Sequence, residues 1–169
     1  MKSKGQSALE FLMTYGWAIM IVLVAIGALA YFGVLNPANF ISARCVSANP
    51  FSCQGKPLIQ NSNFSFTIAN GIGNTLNIAA GSLTISSISA NTSGVTLYEC
   101  PAGTVSTSLP CVNAGTTAYT LNDGGTMTVV ANGTYTKGAS LRATLNIAYP
   151  DPRSQLLQSV PVQVSGKVN

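Results

Sequence analysis

Glu10 is a lone carboxylate at the mouth of an apolar run from Phe11 to Leu35, and no charged side chain follows it until Arg44. A carboxylate drawn alone into hydrocarbon costs several kcal/mol, so its position calls for a specific partner. Lys2, Lys4 and Gly5 stand just upstream. A cut after Gly5 would free the α-amine of Gln6, one helical turn from Glu10. The rest of the chain is poor in reactive groups. It has no histidine, so no Ser-His or Cys-His relay can form, and it has no phosphate-binding glycine loop or haem-attachment motif. Glu99 and Asp151 are the one acid pair to consider. Glu99 precedes a cysteine and Asp151 lies between two prolines, which reads as a strand end and a turn. We expect no catalytic residue, no cofactor and no enzyme activity.

Cys45, Cys53, Cys100 and Cys111 all lie beyond the apolar run. In an oxidising compartment an even set of this kind reads as disulfides. Of the three possible connectivities we favour Cys45–Cys53 and Cys100–Cys111. Each closes a short segment containing Pro50, or Pro101 and Pro110. The spacings do not suit a zinc knuckle, and with histidine absent no metal site is expected. Asn63-Phe-Ser, Asn91-Thr-Ser and Asn132-Gly-Thr are acceptor triplets for N-glycans.

The elements that would carry these residues are of two kinds. From Phe11 to Leu35 the chain can form a helix about 37 Å long at ~1.5 Å per residue, enough to cross a bilayer core of ~30 Å. Asn36-Pro37 can end it, with continuation to Phe40 and Ile41 the alternative. Gly16, Gly27 and Gly33 would allow close helix approach or local melting. Phe11, Tyr15, Trp17, Tyr31, Phe32 and Phe40 suit packing in a helical bundle rather than electron conduction. Beyond the helix the period drops to two. Phe64–Ile68, Leu76–Ile78, Leu83–Ile88, Val95–Tyr98, Met127–Val129, Leu141–Ile147 and Val160–Val164 alternate apolar with polar residues. They read as about seven strands with one buried and one wet face. Turns are expected at Gly71–Asn74, Asn91–Gly94, Asn122–Gly125 and Asn132-Gly133, with Asp123-Gly124 and Asn132-Gly133 as hairpin turns needing positive φ. The fold class is α+β: a long N-terminal hydrophobic helix followed by an antiparallel β-sandwich, immunoglobulin-like in general architecture.

The readings of the N-terminus put the β-rich part outside the cell, and composition supports that placement. Charged residues make up 7% and hydrophobic ones 47%, which suits an anchored extracellular protein better than a cytosolic enzyme. Lys2 and Lys4 supply two of the formal +4, and the remaining Lys and Arg are scattered, so nucleic acid is not an expected partner.

Lys4-Gly5-Gln6-Ser7-Ala8-Leu9-Glu10-Phe11 resembles the processing site of archaeal type IV prepilins, the class III signal peptide. That site has a short basic leader, a glycine before the cut, a glutamine as first mature residue and a glutamate as fifth. Archaellins have related leaders, but their apolar segments usually lack this early glutamate. The resemblance covers about 30 residues, and beyond them it implies only a small β-rich head. It implies a leader at 1–5, a transmembrane and filament-core helix at 6–44 and an extracellular head at 45–169. Gly5 and Gln6 would form the processing site, and Gln6 and Glu10 the assembly pair. The partners implied are a prepilin peptidase, the pilus assembly platform in the membrane, the membrane itself for the precursor, and further copies of the chain in a helical homopolymer. The product would be a major pilin in a surface pilus used for adhesion, its precursor spanning the cytoplasmic membrane once with the N-terminus inside. Other readings remain: a plain single-pass anchor carrying a monomeric extracellular binding domain, a minor pilin with a β-sandwich ligand-binding domain as the intermediate case, and a secretory signal cut near Ala28-Leu29-Ala30. Against the last, an ordinary signal has an apolar region of roughly 7–15 residues without an acid at its front edge.

Overall fold

The computed structural model describes residues 4–35, 42–90, 94–101 and 111–169. The chain divides into two compact units, Met1–Phe40 and Ile41–Asn169.

The first unit is one helix, α1 (Lys4–Tyr31). Its side chains from Ala8 onward are exposed around the whole circumference, and the stretch Ala8–Tyr31 is long and apolar enough to cross a membrane. A helix apolar on every face has no wet side to offer, so its stable surroundings are lipid or other apolar helices. Thr14 removes a polar group from that surface by donating its hydroxyl to the carbonyl of Glu10 (2.9 Å). The helix stops at Gly33, which takes a left-handed φ of 68°. The Gly33 N–H bonds the Ala30 carbonyl (3.1 Å) and the Val34 N–H bonds the Leu29 carbonyl (3.2 Å), the paired bonds of a Schellman cap. Gly33 thus caps the helix. The helix closes at Tyr31, short of residue 44, and the first strand already opens at Arg44. Asn36, Pro37, Phe40 and Ile41 lie outside the described residues.

The second unit has eleven strands among the described residues: β1 (Arg44–Ser47), β2 (Phe51–Ile59), β3 (Asn63–Asn70), β4 (Leu76–Ile78), β5 (Leu83–Ile88), β6 (Thr96–Pro101), β7 (Val112–Asn113), β8 (Tyr119–Leu121), β9 (Thr126–Asn132), β10 (Ser140–Pro150) and β11 (Leu157–Lys167). Each segment expected from alternation falls on one of these strands. β1, β2, β7 and β8 were not expected. β2 is broken by Gly55 and Pro57 and carries a register shift between Gln54 and Leu58, so no clean period shows in its sequence.

One sheet runs β1-β11-β10-β5, a second runs β2-β3-β9-β6-β7, and β4 and β8 form a two-stranded ribbon. All pairings are antiparallel. Leu141, Leu145, Ile147, Val162 and Val164 from the first sheet and Phe64, Phe66, Ile68, Met127 and Val129 from the second enter one core, which Leu76, Ile78 and Leu121 of the ribbon complete. β9 is buried on both faces: Met127, Val129 and Ala131 join this core, while Val130 packs with Cys100, Cys111 and Tyr98 behind the sheet.

Two expected hairpin turns turn out to be crossings between sheets. Residues 122–125 lead from β8 in the ribbon to β9, with Gly124 at a φ of 64° and the Gly125 N–H bonded to the Asn122 carbonyl (2.9 Å). Gly133 does not adopt the left-handed conformation; its N–H bonds the Ser62 carbonyl (3.0 Å) as the chain leaves β9 for β10 in the other sheet. The positive φ thus holds at Gly124 alone.

Candidate functional site

The N-terminal segment is built on helix geometry. α1 begins at Lys4, which puts Gly5 and Gln6 in its first turn. Gln6 and Glu10 are four residues apart, a spacing that places both on one helix face. The first N–H groups of a helix lack intrahelical acceptors, so this end favours negative charge. Glu10 is exposed. The Gln6 side chain lies outside the described residues.

The cysteines are joined as Cys45–Cys53 (Cα–Cα 5.8 Å) and Cys100–Cys111 (Cα–Cα 4.2 Å). The first ties β1 of one sheet to β2 of the other. The second ties β6 to the residue before β7 and is buried. Pro110 lies outside the described residues.

The glycan triplets differ in access. Asn63 is half-buried at the start of β3, and its Oδ1 is shut off from solvent with no hydrogen-bond partner among the described residues. Asn132, opposite it in the register, is exposed at the end of β9. Asn91 lies outside the described residues.

Glu99 does not sit at an ordinary strand end. It lies within β6, opposite Val129 and Val112, and is 1% exposed. Among the described residues both carboxylate oxygens are without a hydrogen-bond partner. Burial pushes its pKa up to about 7, and its charge adds to the burial that raises Tyr119. A signal for this was present: Val95 and Leu97 set an inward period of two whose next member is residue 99.

Asp151 is held by its own turn and is not one half of an acid pair. Its Oδ1 accepts the backbone N–H groups of Arg153 (2.7 Å) and Ser154 (3.0 Å). These bonds, with Ser154 the larger influence, hold the carboxyl below its usual range.

A cleft of about 330 Å³ opens beside this turn, lined by Asn49, Pro50, Gly71, Ile72, Asn74, Tyr149, Asp151, Pro152 and Arg153. Three connections build it: β1 to β2, β3 to β4 and β10 to β11. Each is braced. Phe51 and Tyr149 meet edge to face at 5.4 Å beside the first. The Gly71 N–H bonds the Pro50 carbonyl (3.1 Å), and a side chain at residue 71 would strike that oxygen. Buried Asn70 braces the second connection: its Nδ2 donates to the carbonyls of Asn74 (2.8 Å) and Asn122 (3.1 Å), and its Oδ1 accepts the Ile72 N–H (3.0 Å). The third is closed by Asp151, whose N–H bonds the Leu156 carbonyl (2.9 Å). The isolated Asn, Tyr and Asp residues involved carry no sequence motif; the cleft exists only because three distant loops meet.

The N-terminal helix has the character of a membrane anchor or signal, and the two disulfides are compatible with an extracellular location. No protein-family model, curated protein or solved structure matches this chain.

Proposed function

We propose that the chain is a structural filament subunit, the major pilin of an archaeal type IV-like pilus for surface adhesion. The observation that carries this reading is the register of Gly5, Gln6 and Glu10 against a helix that is apolar on every face. A peptidase on the cytoplasmic side would cut between Gly5 and Gln6, leaving the helix attached to its head. The membrane assembly platform would then move the helix from lipid into a core of like helices, with the β-rich unit outside. In that core the α-amine of Gln6 and the carboxylate of Glu10 pair, within a chain or with the subunit already in place. Either arrangement neutralises two charges that would each cost several kcal/mol alone. Pairing between chains also sets axial register, because a subunit at the wrong height leaves both charges bare. The head is read as an immunoglobulin-like sandwich without catalytic function; the single core shared by the two antiparallel sheets supports the sandwich.

Glu10→Ala tests the assembly step. Membrane insertion, cleavage and head folding should persist, while electron microscopy of sheared surface material finds filaments lost or sharply reduced. Normal filaments made from the mutant protein alone would remove Glu10 from assembly. A chain that stays in the membrane fraction without filaments, in the unmutated strain, would favour the anchored binding protein instead.

A further inference from the structure

We infer that the cleft between residues 49–50, 71–74 and 149–153 binds the hydroxyl-rich end of a saccharide. The inference goes beyond filament assembly and applies equally to a polymerised or a singly anchored chain.

The polar groups at the cleft decide the class of ligand. Asp151 uses Oδ1 within its own turn, which fixes the carboxylate at the cleft, where the Ser154 hydroxyl and the Arg153 charge also act on it. Arg153, two residues on, also lines the cleft and its positive charge acts on Asp151, while Asn49 and Asn74 are lining residues of a type that can both donate and accept. The Tyr149 hydroxyl is kept protonated: burial, then the nearby charge of Asp151, raises its pKa. A purely anionic ligand would meet Asp151, and a purely cationic one Arg153. A hydroxyl can donate to the carboxylate and accept from the guanidinium, so a neutral molecule bearing several hydroxyls matches the set without an unpaired charge. Pro50, Ile72 and Pro152 add a small apolar area to a lining that is mostly polar, as a ligand bearing many hydroxyls and few apolar atoms requires. A peptide would instead need a deep pocket for an anchoring side chain or an added strand position. The volume of about 330 Å³ is near the lower end of small-molecule sites, room for roughly one or two sugar rings.

Rigidity makes the match usable. The bonds from Asn70, from Gly71 to Pro50 and within the Asp151 turn hold all three loops before a ligand arrives. A prebuilt site avoids the entropy loss of ordering loops on binding, which a weak polar ligand could not offset.

The test uses the intact chain in detergent micelles on an array of immobilised saccharides, followed by ¹⁵N chemical-shift titration with a retained sugar. We expect retention of at least one saccharide, with a dissociation constant on the order of 1 mM or tighter and saturable shifts at Gly71, Asp151 and Arg153. Asp151→Asn keeps an acceptor for the turn while removing the charge, and Asn74→Ala leaves the backbone bond to Asn70 in place. Each should weaken binding at least about tenfold, the effect of losing one strong hydrogen bond. Lys137→Ala, exposed and outside the cleft, should bind normally. Unchanged shifts elsewhere report that the variants fold. An array that retains no saccharide overturns the proposal, as do equal affinities of both cleft variants and the unmutated chain. Shifts at these amides produced only by inorganic phosphate, or only by peptides, also overturn it.

Discussion

Glu99 is a carboxylic acid among valines, and its consequence is a stability that depends on pH in an unusual direction. Its pKa is about 7 in the fold against an ordinary value of 4.5, so the folded state holds the proton more tightly than the unfolded chain. The contribution is fully present below pH ~4.5 and is lost as pH rises through ~7, a change on the order of 3 kcal/mol. Urea titrations of the intact chain in micelles from pH 4 to 8 should therefore show the β-rich unit weakening toward neutrality. Glu99→Gln should flatten that slope and be the more stable protein at pH 8; a slope unchanged in the variant would assign it elsewhere. The other carboxylate with a shifted pKa, Asp151, works in the opposite sense, but it lies at the surface and its effect is screened. At the same scale, Asn132 is open and Asn63 is not. Glycopeptide mapping of the native protein should locate N-glycan on Asn132 and find Asn63 bare; a glycan on Asn63 would require modification before β3 pairs.

At the level of elements, β11 is closely packed at Gly166. Gly166 faces the side chain of Ile59 and the backbone of Ala43, and a Cβ added there would approach them to 2.6 and 2.9 Å. The methyl of Ile59 can turn aside, but the Cα of Ala43 cannot. Gly166→Ala should cost about 1–3 kcal/mol, the usual range for overpacking, read as a lower urea midpoint with an unchanged slope. An unaltered midpoint would mean that the entry to β1 is loose. The disulfides act on neighbouring elements. Cys45–Cys53 joins the two sheets where β1 passes to β2, and Cys100–Cys111 closes β6 toward β7. Loops this short each contribute ~2–3 kcal/mol on a chain-entropy basis.

Over the whole molecule, the two units treat their apolar side chains differently. Ile41–Asn169 buries its apolar side chains in its own core, whereas α1 exposes Phe11, Leu12, Trp17, Leu23 and Val24. That contrast underlies the proposal that α1 passes from lipid to a bundle of like helices. If processing occurs as proposed, N-terminal sequencing of the surface protein should begin at Gln6. Gly5→Val should block the cut by crowding the peptidase site, so that the precursor accumulates in the membrane. A first residue near 31 would instead restore the secretory-signal reading.

The helix and seven of the strands were legible in the sequence because burial there is periodic and local. A charge-free run needs no tertiary partner to declare itself, and alternation in Phe64–Ile68 or Leu141–Ile147 records one wet and one dry face. β2 is hidden because a glycine, a proline and a bulge erase its period, and β7 because two residues cannot establish one, whereas Tyr119-Thr120-Leu121 in β8 alternates as Leu76-Asn77-Ile78 in β4 does and is equally open to the same reading. Helix length was misjudged at its end: Asn36-Pro37 looked like the stop, while Gly33 capped the helix earlier through bonds to Leu29 and Ala30. The motif of Gly5, Gln6 and Glu10 is contiguous, so sequence alone determined where processing and assembly are expected. The unequal access of Asn63 and Asn132 and the cleft were decided only by tertiary structure, as was the depth at which Glu99 is buried, although the alternation of Val95 and Leu97 already marked its side of the strand as inward. Each depends on which distant strands and loops become neighbours, and antiparallel pairing across long sequence separations leaves no local trace of that choice.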